Sequence, residues 1–141
     1  MGNIRIATAY RNAMVAVLRA ALDAGSGPGS VLIYGDSQPA GPGTAITAQE
    51  LLAELALDDP SGSECDGTLT FAPITEASSA CATGTPTWCR FVDSDGNAIF
   101  DADAGTPGSG AFLEITAETV DARGSVRITA GTITLPSSIM V

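Results

Sequence analysis

The sequence predicts a mainly β domain, an antiparallel sandwich or jelly roll led by one N-terminal α-helix. Three observations predict it. Seven or eight short segments alternate apolar and polar residues or gather β-branched and aromatic ones, with Gly, Pro, Asp or Ser between them. Only one segment, about Ala9–Ala24, carries apolar residues at helical spacing over several turns. No regular strand–helix alternation of the kind that builds parallel sheets occurs. At 141 residues the chain has the length of one domain, 1–141, with an N-terminal arm and helix and a short apolar C-terminal tail.

The elements follow in order. Asn3-Ile4-Arg5-Ile6 alternates and reads as an edge strand or an extended arm. Thr8 is suited to cap the helix. Within Ala9–Ala24, Tyr10, Met14, Leu18, Ala21 and Leu22 form the apolar stripe, widened by Val15 and Val17. Arg11, Asn12, Arg19 and Asp23 take the polar side, Gly25 stops the helix, and the stripe is expected to cover the sheet. Val31–Tyr34 reads as a strand, and the Gly/Pro-rich stretch from Gly35 to Gly43 as a loop. The next segment carries two patterns. Thr47-Ala48-Gln49-Glu50 fits a helical capping box, while Leu51, Ala53, Leu55 and Leu57 alternate and stop at Asp58-Asp59-Pro60 after seven residues. The short run favours a strand, and a helix over Thr47–Leu57 stays open.

Thr68–Phe71 alternates as a strand, and Ser78–Pro86 is a loop. The central feature is Thr87–Asp101. Trp88, Arg90 and Val92 fall on one face by period two, and Cys89 and Phe91 on the other. Asp95-Gly96 predicts a type I′ turn, and Ala98–Phe100 returns. Arg90, beside Trp88, is placed to stack on the indole or to pair with a carboxylate. Asp101–Gly110 reads as a loop and Ala111–Ile115 as a strand. Ser125–Leu135 alternates as one long strand with a bulge at Gly131. Ser137–Val141 is an apolar tail.

Composition bounds the function. Ile, Leu, Val and Phe make up 31 of 141 residues. This is just above the roughly one-fifth below which chains tend to disorder, so the core is expected to be thin. The net charge is −10, with six Arg and no Lys or His. That balance points away from nucleic acid and from anionic membranes, both of which select cationic surfaces. Arg5, Arg11 and Arg19 lie in the first 19 residues, and Asp23 to Cys89 holds nine acids and no base. Without His or Lys, the commonest general base, Schiff-base chemistry and a P-loop lysine are all missing. Three Cys, at 65, 81 and 89, show no paired motif and no signal-peptide pattern precedes them, so free thiols in a reducing compartment are expected. No apolar run reaches transmembrane length. No cofactor and no catalytic residue is expected.

Asp93, Asp95 and Asn97, followed by Asp101 and Asp103, form a weak candidate calcium loop. Its Gly falls at the fourth place and not the sixth, and a hairpin turn with solvated acids explains the same residues. The candidate interface residues are Ile4, Arg5 and Ile6 in the arm and Ile139, Met140 and Val141 in the tail, apolar or extended segments suited to adding a strand to a neighbour.

Asn3-Ile4-Arg5-Ile6, Arg11-Asn12-Ala13-Met14, Asp23-Ala24-Gly25, Leu32-Ile33-Tyr34, Gln38-Pro39-Ala40, Trp88-Cys89-Arg90, Asp93-Ser94-Asp95-Gly96 and Thr132-Ile133-Thr134-Leu135-Pro136 together resemble a family of small virion proteins of tailed bacteriophages. The resemblance runs over nearly all of the chain and is carried by structural motifs, not catalytic ones. Within the family it is to the capsid cement, or decoration, proteins of Bordetella-phage type. It implies a jelly roll on the outside of an HK97-like shell, a homodimer, and the major capsid protein as partner. It implies a non-enzymatic role in the virion, after assembly in the host bacterial cytoplasm. The alternative is another virion module, a tail or neck component or a carbohydrate-binding jelly roll.

Overall fold

The computed structural model describes residues 3–116, 118–130, 132–134 and 138–140. Its elements are β1 (Asn3–Arg5), α1 (Thr8–Leu22), β2 (Ser30–Tyr34), β3 (Leu51–Ala56), β4 (Gly62–Cys65), β5 (Thr68–Phe71), β6 (Trp88–Val92), β7 (Ala98–Gly105), β8 (Leu113–Ile115), β9 (Ile128–Ala130), β10 (Thr132–Thr134) and β11 (Ser138–Met140). The fold is mainly β with one N-terminal helix. A six-stranded sheet runs β3-β2-β6-β7-β8-β9, a three-stranded sheet β10-β5-β4, and a two-stranded ribbon joins β1 to β11. Pairing is antiparallel except between β7 and β8.

The two larger sheets meet through aromatic side chains, as in a sandwich. Phe71 of β5 stacks on Phe91 of β6 at 5.3 Å, and Phe91 stacks on Phe100 of β7 at 4.4 Å. Phe112 closes the group edge-on to both. Such pairs add about 0.5–1.5 kcal/mol each beyond the area they bury. Around them pack Leu22, Val31, Ile33, Leu52, Leu55 and Ile115. The alternation read for β6 is realised: Cys89 and Phe91 enter this core, and Trp88 and Arg90 occupy the opposite face. That face is covered as well. Tyr34 stacks on Trp88 at 4.6 Å, and the indole N–H donates to the Gly35 carbonyl. All five residues of β6 are buried.

Leu51–Ala56 is a strand, pairing with β2 from Ser30↔Ala56 to Tyr34↔Leu51. Burial of Leu52, Ala53, Leu55 and Leu57 against the core decides between the two patterns, and Gln49 is held locally by accepting from the Thr47 N–H. The turn after β6 differs from expectation. Gly96 N–H bonds to the Asp93 carbonyl and only Gly96 has positive φ, at 85°, so this is a type I turn with a glycine bulge. The type I′ turn lies elsewhere. Asp66 and Gly67, with φ of 50° and 77°, join β4 to β5 in a two-residue hairpin whose first strand the sequence did not single out.

Three further differences concern length and connection. β7 continues through Asp101 and Asp103 to Gly105, where a loop was expected, because Asp101 is neutralised by Arg90 and Asp103 accepts the Phe112 N–H. The alternating run near the C-terminus is divided between two sheets, β9 in the larger and β10 in the smaller. The bulge expected at Gly131 lies outside the described residues. The helix begins at Thr8 after an extended Ala7 that makes no side-chain cap. Thr8 therefore does not cap it, and its hydroxyl accepts from Arg11 instead.

Candidate docking surface

The arm and the tail, read in the sequence as separate docking segments, form one ribbon. β1 and β11 pair antiparallel, Asn3 opposite Met140, Ile4 opposite Ile139 and Arg5 opposite Ser138. Ser138–Met140 of the tail is thus a strand. Among the described residues neither strand pairs with a third, so each leaves one edge of N–H and C=O groups open, a template for another strand. All three residues of β1 are exposed, Ile4 included, and Ile6 is half-buried. Val141 lies outside the described residues.

Two residues separate this ribbon from α1, which sits on the β4–β5 hairpin turned in part from the expectation. Its inward side carries Arg11, Asn12 and Arg19 beside the buried Val15 and Leu22. The Arg11 guanidinium donates to the Ile6 carbonyl at 3.2 Å and the Asp66 carbonyl at 2.8 Å, bracing the linker against the hairpin turn. Asn12 accepts the Gly67 N–H at 2.6 Å. Arg19 pairs with Glu64 and, at 3.3 Å, with Asp23, whose other oxygen accepts the Ser61 N–H at 2.9 Å. Hydrogen bonding to Glu64 raises the Arg19 pKa further above its ordinary value. Of the helix's own residues only Val15 and Leu22 are buried.

Of the stripe expected to cover the sheet, Val15 and Leu22 are buried and Leu18 and Ala21 half-buried, and the rest faces water. Tyr10, Met14 and Val17 are 69%, 48% and 67% exposed. Together with Ile4 they are the exposed large hydrophobic residues of the described chain, and all four fall within one 14-residue segment. At about 100° per residue, Tyr10, Met14 and Val17 share one side of the helix, and Val15 and Leu22 lie on another. The sequence signal was this second apolar sector. Two apolar sides on one helix mean that a single domain buries only one of them.

The remaining candidate residues have local roles. In the loop after β6, Asp93 accepts the N–H groups of Asp95 at 3.0 Å and Asn97 at 2.9 Å, and its second oxygen accepts the Asn97 side-chain amide at 3.0 Å. These bonds, the Asn97 amide first, hold its carboxyl below the usual carboxylate range. The donors that occupy Asp93 are the turn's own, and no group of three or more metal-ligating side chains occurs among the described residues. Cys89 is buried, and desolvation pushes its thiol up to about 12, so it stays protonated at neutral pH. Arg90 meets both alternatives read for it. It forms a two-toothed bond to Asp101 at 2.7 and 3.0 Å and lies 5.4 Å from the Trp88 ring centre.

The two open strand edges and the exposed apolar residues of the helix lie within residues 3–17 and the last strand. Comparison of the chain with protein-family models, with curated proteins and with solved structures finds no match to any of them.

Proposed function

We propose that this chain is a structural protein of a tailed-phage virion, a cement or decoration protein that binds the outside of the shell and clamps neighbouring major capsid proteins. The observation that carries the reading is the clustering of adhesive features. The exposed large hydrophobic residues and both open strand edges lie toward the two chain ends, set apart from a body whose aromatic residues are buried or half-buried. A clamp needs such a division. The body keeps its shape through its own core, and the ends lend strands or anchors to subunits on either side by β-augmentation. Ile4, Arg5 and Ile6 with the strand Ser138–Met140 are the proposed contact to the capsid subunit. Many weak contacts repeated on a symmetric shell gain strength by avidity, so a small ribbon suffices. The resemblance noted in the sequence supports the same reading.

A carbohydrate-binding module is less well supported, because the aromatic faces that would stack on a sugar are committed elsewhere. Trp88 is fully buried against Tyr34, and the phenylalanines fill the core.

The test is the copy number of the chain, by gel quantitation, against the major capsid protein in purified virions. Near one-to-one, or a simple fraction of it, is expected of a shell-wide cement. A handful of copies places the chain in the tail or neck, and its absence from particles overturns the virion reading.

A further inference from the structure

The β1–β11 ribbon differs from the other strand pairs of the described residues. It belongs to no larger sheet, and it packs on no other element to an extent comparable with its own pairing. Three residue pairs hold it: Asn3↔Met140, Ile4↔Ile139 and Arg5↔Ser138. All of β1 is exposed, so neither face of that strand is covered. The β4–β5 hairpin, by contrast, continues into β10 and lies against α1. A two-stranded ribbon with no third strand and no packed face is marginal in water. We infer that this ribbon is an exchangeable clasp: β11 gives up its place on β1 to an extended strand of a partner protein and is itself freed to pair elsewhere. The inference deepens the proposed clamp by naming the edges it uses, those now paired with each other, and it rests on that reading only in calling the partner a capsid subunit.

The partner's chemistry is read from the strand that now holds the place. β11 shows that this edge of β1 takes an antiparallel strand with an apolar residue opposite Ile4. Ser138, opposite the exposed Arg5, brings no charge to it. A partner strand with Asp or Glu at that place adds a cross-strand ion pair that the chain's own tail lacks, an advantage of up to about fivefold in affinity. The occupant is therefore an extended segment in which an acidic residue is followed at once by an apolar one. Competition with the tail sets the strength required. Two residues separate β1 from α1, and three separate β10 from β11 in the sequence. Such short tethers present the tail to β1 at an effective concentration on the order of millimolar. A free strand of equal intrinsic affinity displaces it only at about that concentration, whereas a strand held beside β1 by other contacts or repeated on a symmetric array does so readily. Until then the clasp covers one edge of each terminal strand against chance pairing between copies. Opening parts the two ends, so that each can join a different neighbour.

Nuclear magnetic resonance on the isotope-labelled full chain, titrated to about 20 mM with an acetylated peptide of the sequence Pro136–Val141, reads the exchange. The amide signals of Asn3, Ile4 and Arg5 are expected to stay in paired positions while those of the chain's own Ser138, Ile139 and Met140 move to unpaired ones, with a midpoint of about a few millimolar. A peptide carrying Ser138→Glu should reach its midpoint at a concentration up to about fivefold lower, and Arg5→Ala in the chain should erase that difference. In a Cys65→Ser, Cys81→Ser background, Ile4→Cys with Ile139→Cys sets two thiols on directly opposed residues, within reach of a disulfide. Oxidation should weaken the exchange at least about tenfold and reduction should restore it, the reduced chain serving as the control for folding. A tail whose signals stay paired while the peptide adds to an open edge, an absence of binding throughout the titration, or an oxidised chain that exchanges like the reduced one overturns the inference. Equal midpoints for the two peptides overturn the acidic preference, and tails that exchange between copies without peptide overturn the assignment to a partner protein. A chain whose clasp exchanges but which is missing from virions keeps this inference and loses the virion reading, and a virion chain whose clasp never opens does the reverse.

Discussion

Strand β6 and helix α1 treat their polar residues alike, but β6 buries all of its apolar residues and α1 only part of them. In β6, Arg90 is buried and paired with Asp101, and the apolar residues around it are buried too. In α1, Arg19 and Asn12 likewise face inward and are paired, yet Tyr10, Met14 and Val17 face water. β6 therefore serves the domain's own stability on both faces. The helix serves it with one face only, on which Arg19 and Asn12 are paired beside the buried Val15 and Leu22. An apolar stripe on a helix thus identifies a surface to be buried without saying by what. Where polar residues on one side already have specific partners within the domain, the rest of the stripe stays outside its core.

The largest effect should come from the strand. Phe91→Ala removes the ring around which Phe71, Phe100 and Phe112 are arranged and leaves a cavity at the meeting of the two sheets. A loss of about 3–5 kcal/mol is expected, read by urea unfolding followed through Trp88 fluorescence. In a domain with a thin core this is a large part of the total stability. A loss under about 1 kcal/mol would mean that the sheets do not depend on that contact, and the contrast with the helix would fail at its stronger end.

Asp101→Ala comes next. It strands a guanidinium whose side chain is 8% exposed. Removing one partner of a buried pair costs about 3 kcal/mol or more, here eased by the bonds Arg90 keeps to the Gly41 carbonyl and to the indole. Replacing both, Arg90→Met with Asp101→Leu, should recover most of that loss, because the cost lies in the unpaired charge and not in the missing bridge. Equal losses in the single and double variants would show that the pair itself stabilises β6 and β7.

These outcomes bear on how much was legible beforehand. The β6 faces, β2, β5 and the approximate helix span follow from local patterns, because period two and period 3.6 are properties of short segments. β7 was misread beyond Phe100 because Asp101 and Asp103 look like loop residues until Arg90 and the Phe112 N–H, each about ten residues away, are brought beside them. Asp-Gly chemistry was sound but occurs twice. Which copy forms the type I′ turn depends on whether exactly two residues separate the paired strands, and that is set by the Cys65↔Thr68 register. The arm and tail were recognisable as extended and apolar, but their pairing joins residues more than 130 positions apart, and no local pattern encodes it. The orientation of α1 was read only in part. Val15 and Leu22 of the expected stripe are buried while Tyr10, Met14 and Val17 are not, because Glu64, the Gly67 N–H and the Ser61 N–H supply partners for polar residues that share the inward side.

The smallest effects test the helix against itself. Asn12→Ala leaves the Gly67 N–H without its acceptor and should cost about 1 kcal/mol. Asp23→Ala, which removes the acceptor for the Ser61 N–H and a partner of Arg19, should cost somewhat more. Tyr10→Ser and Met14→Ser, though they delete far more apolar surface, should change unfolding by less than about 0.5 kcal/mol in dilute solution, since that surface is already wet in the folded monomer. The ranking reverses ordinary expectation for a helix, in which apolar truncations dominate. Urea unfolding at one fixed protein concentration checks the ranking, and a larger loss for Tyr10→Ser or Met14→Ser than for Asn12→Ala would mean that the outer side of α1 is not wet in solution.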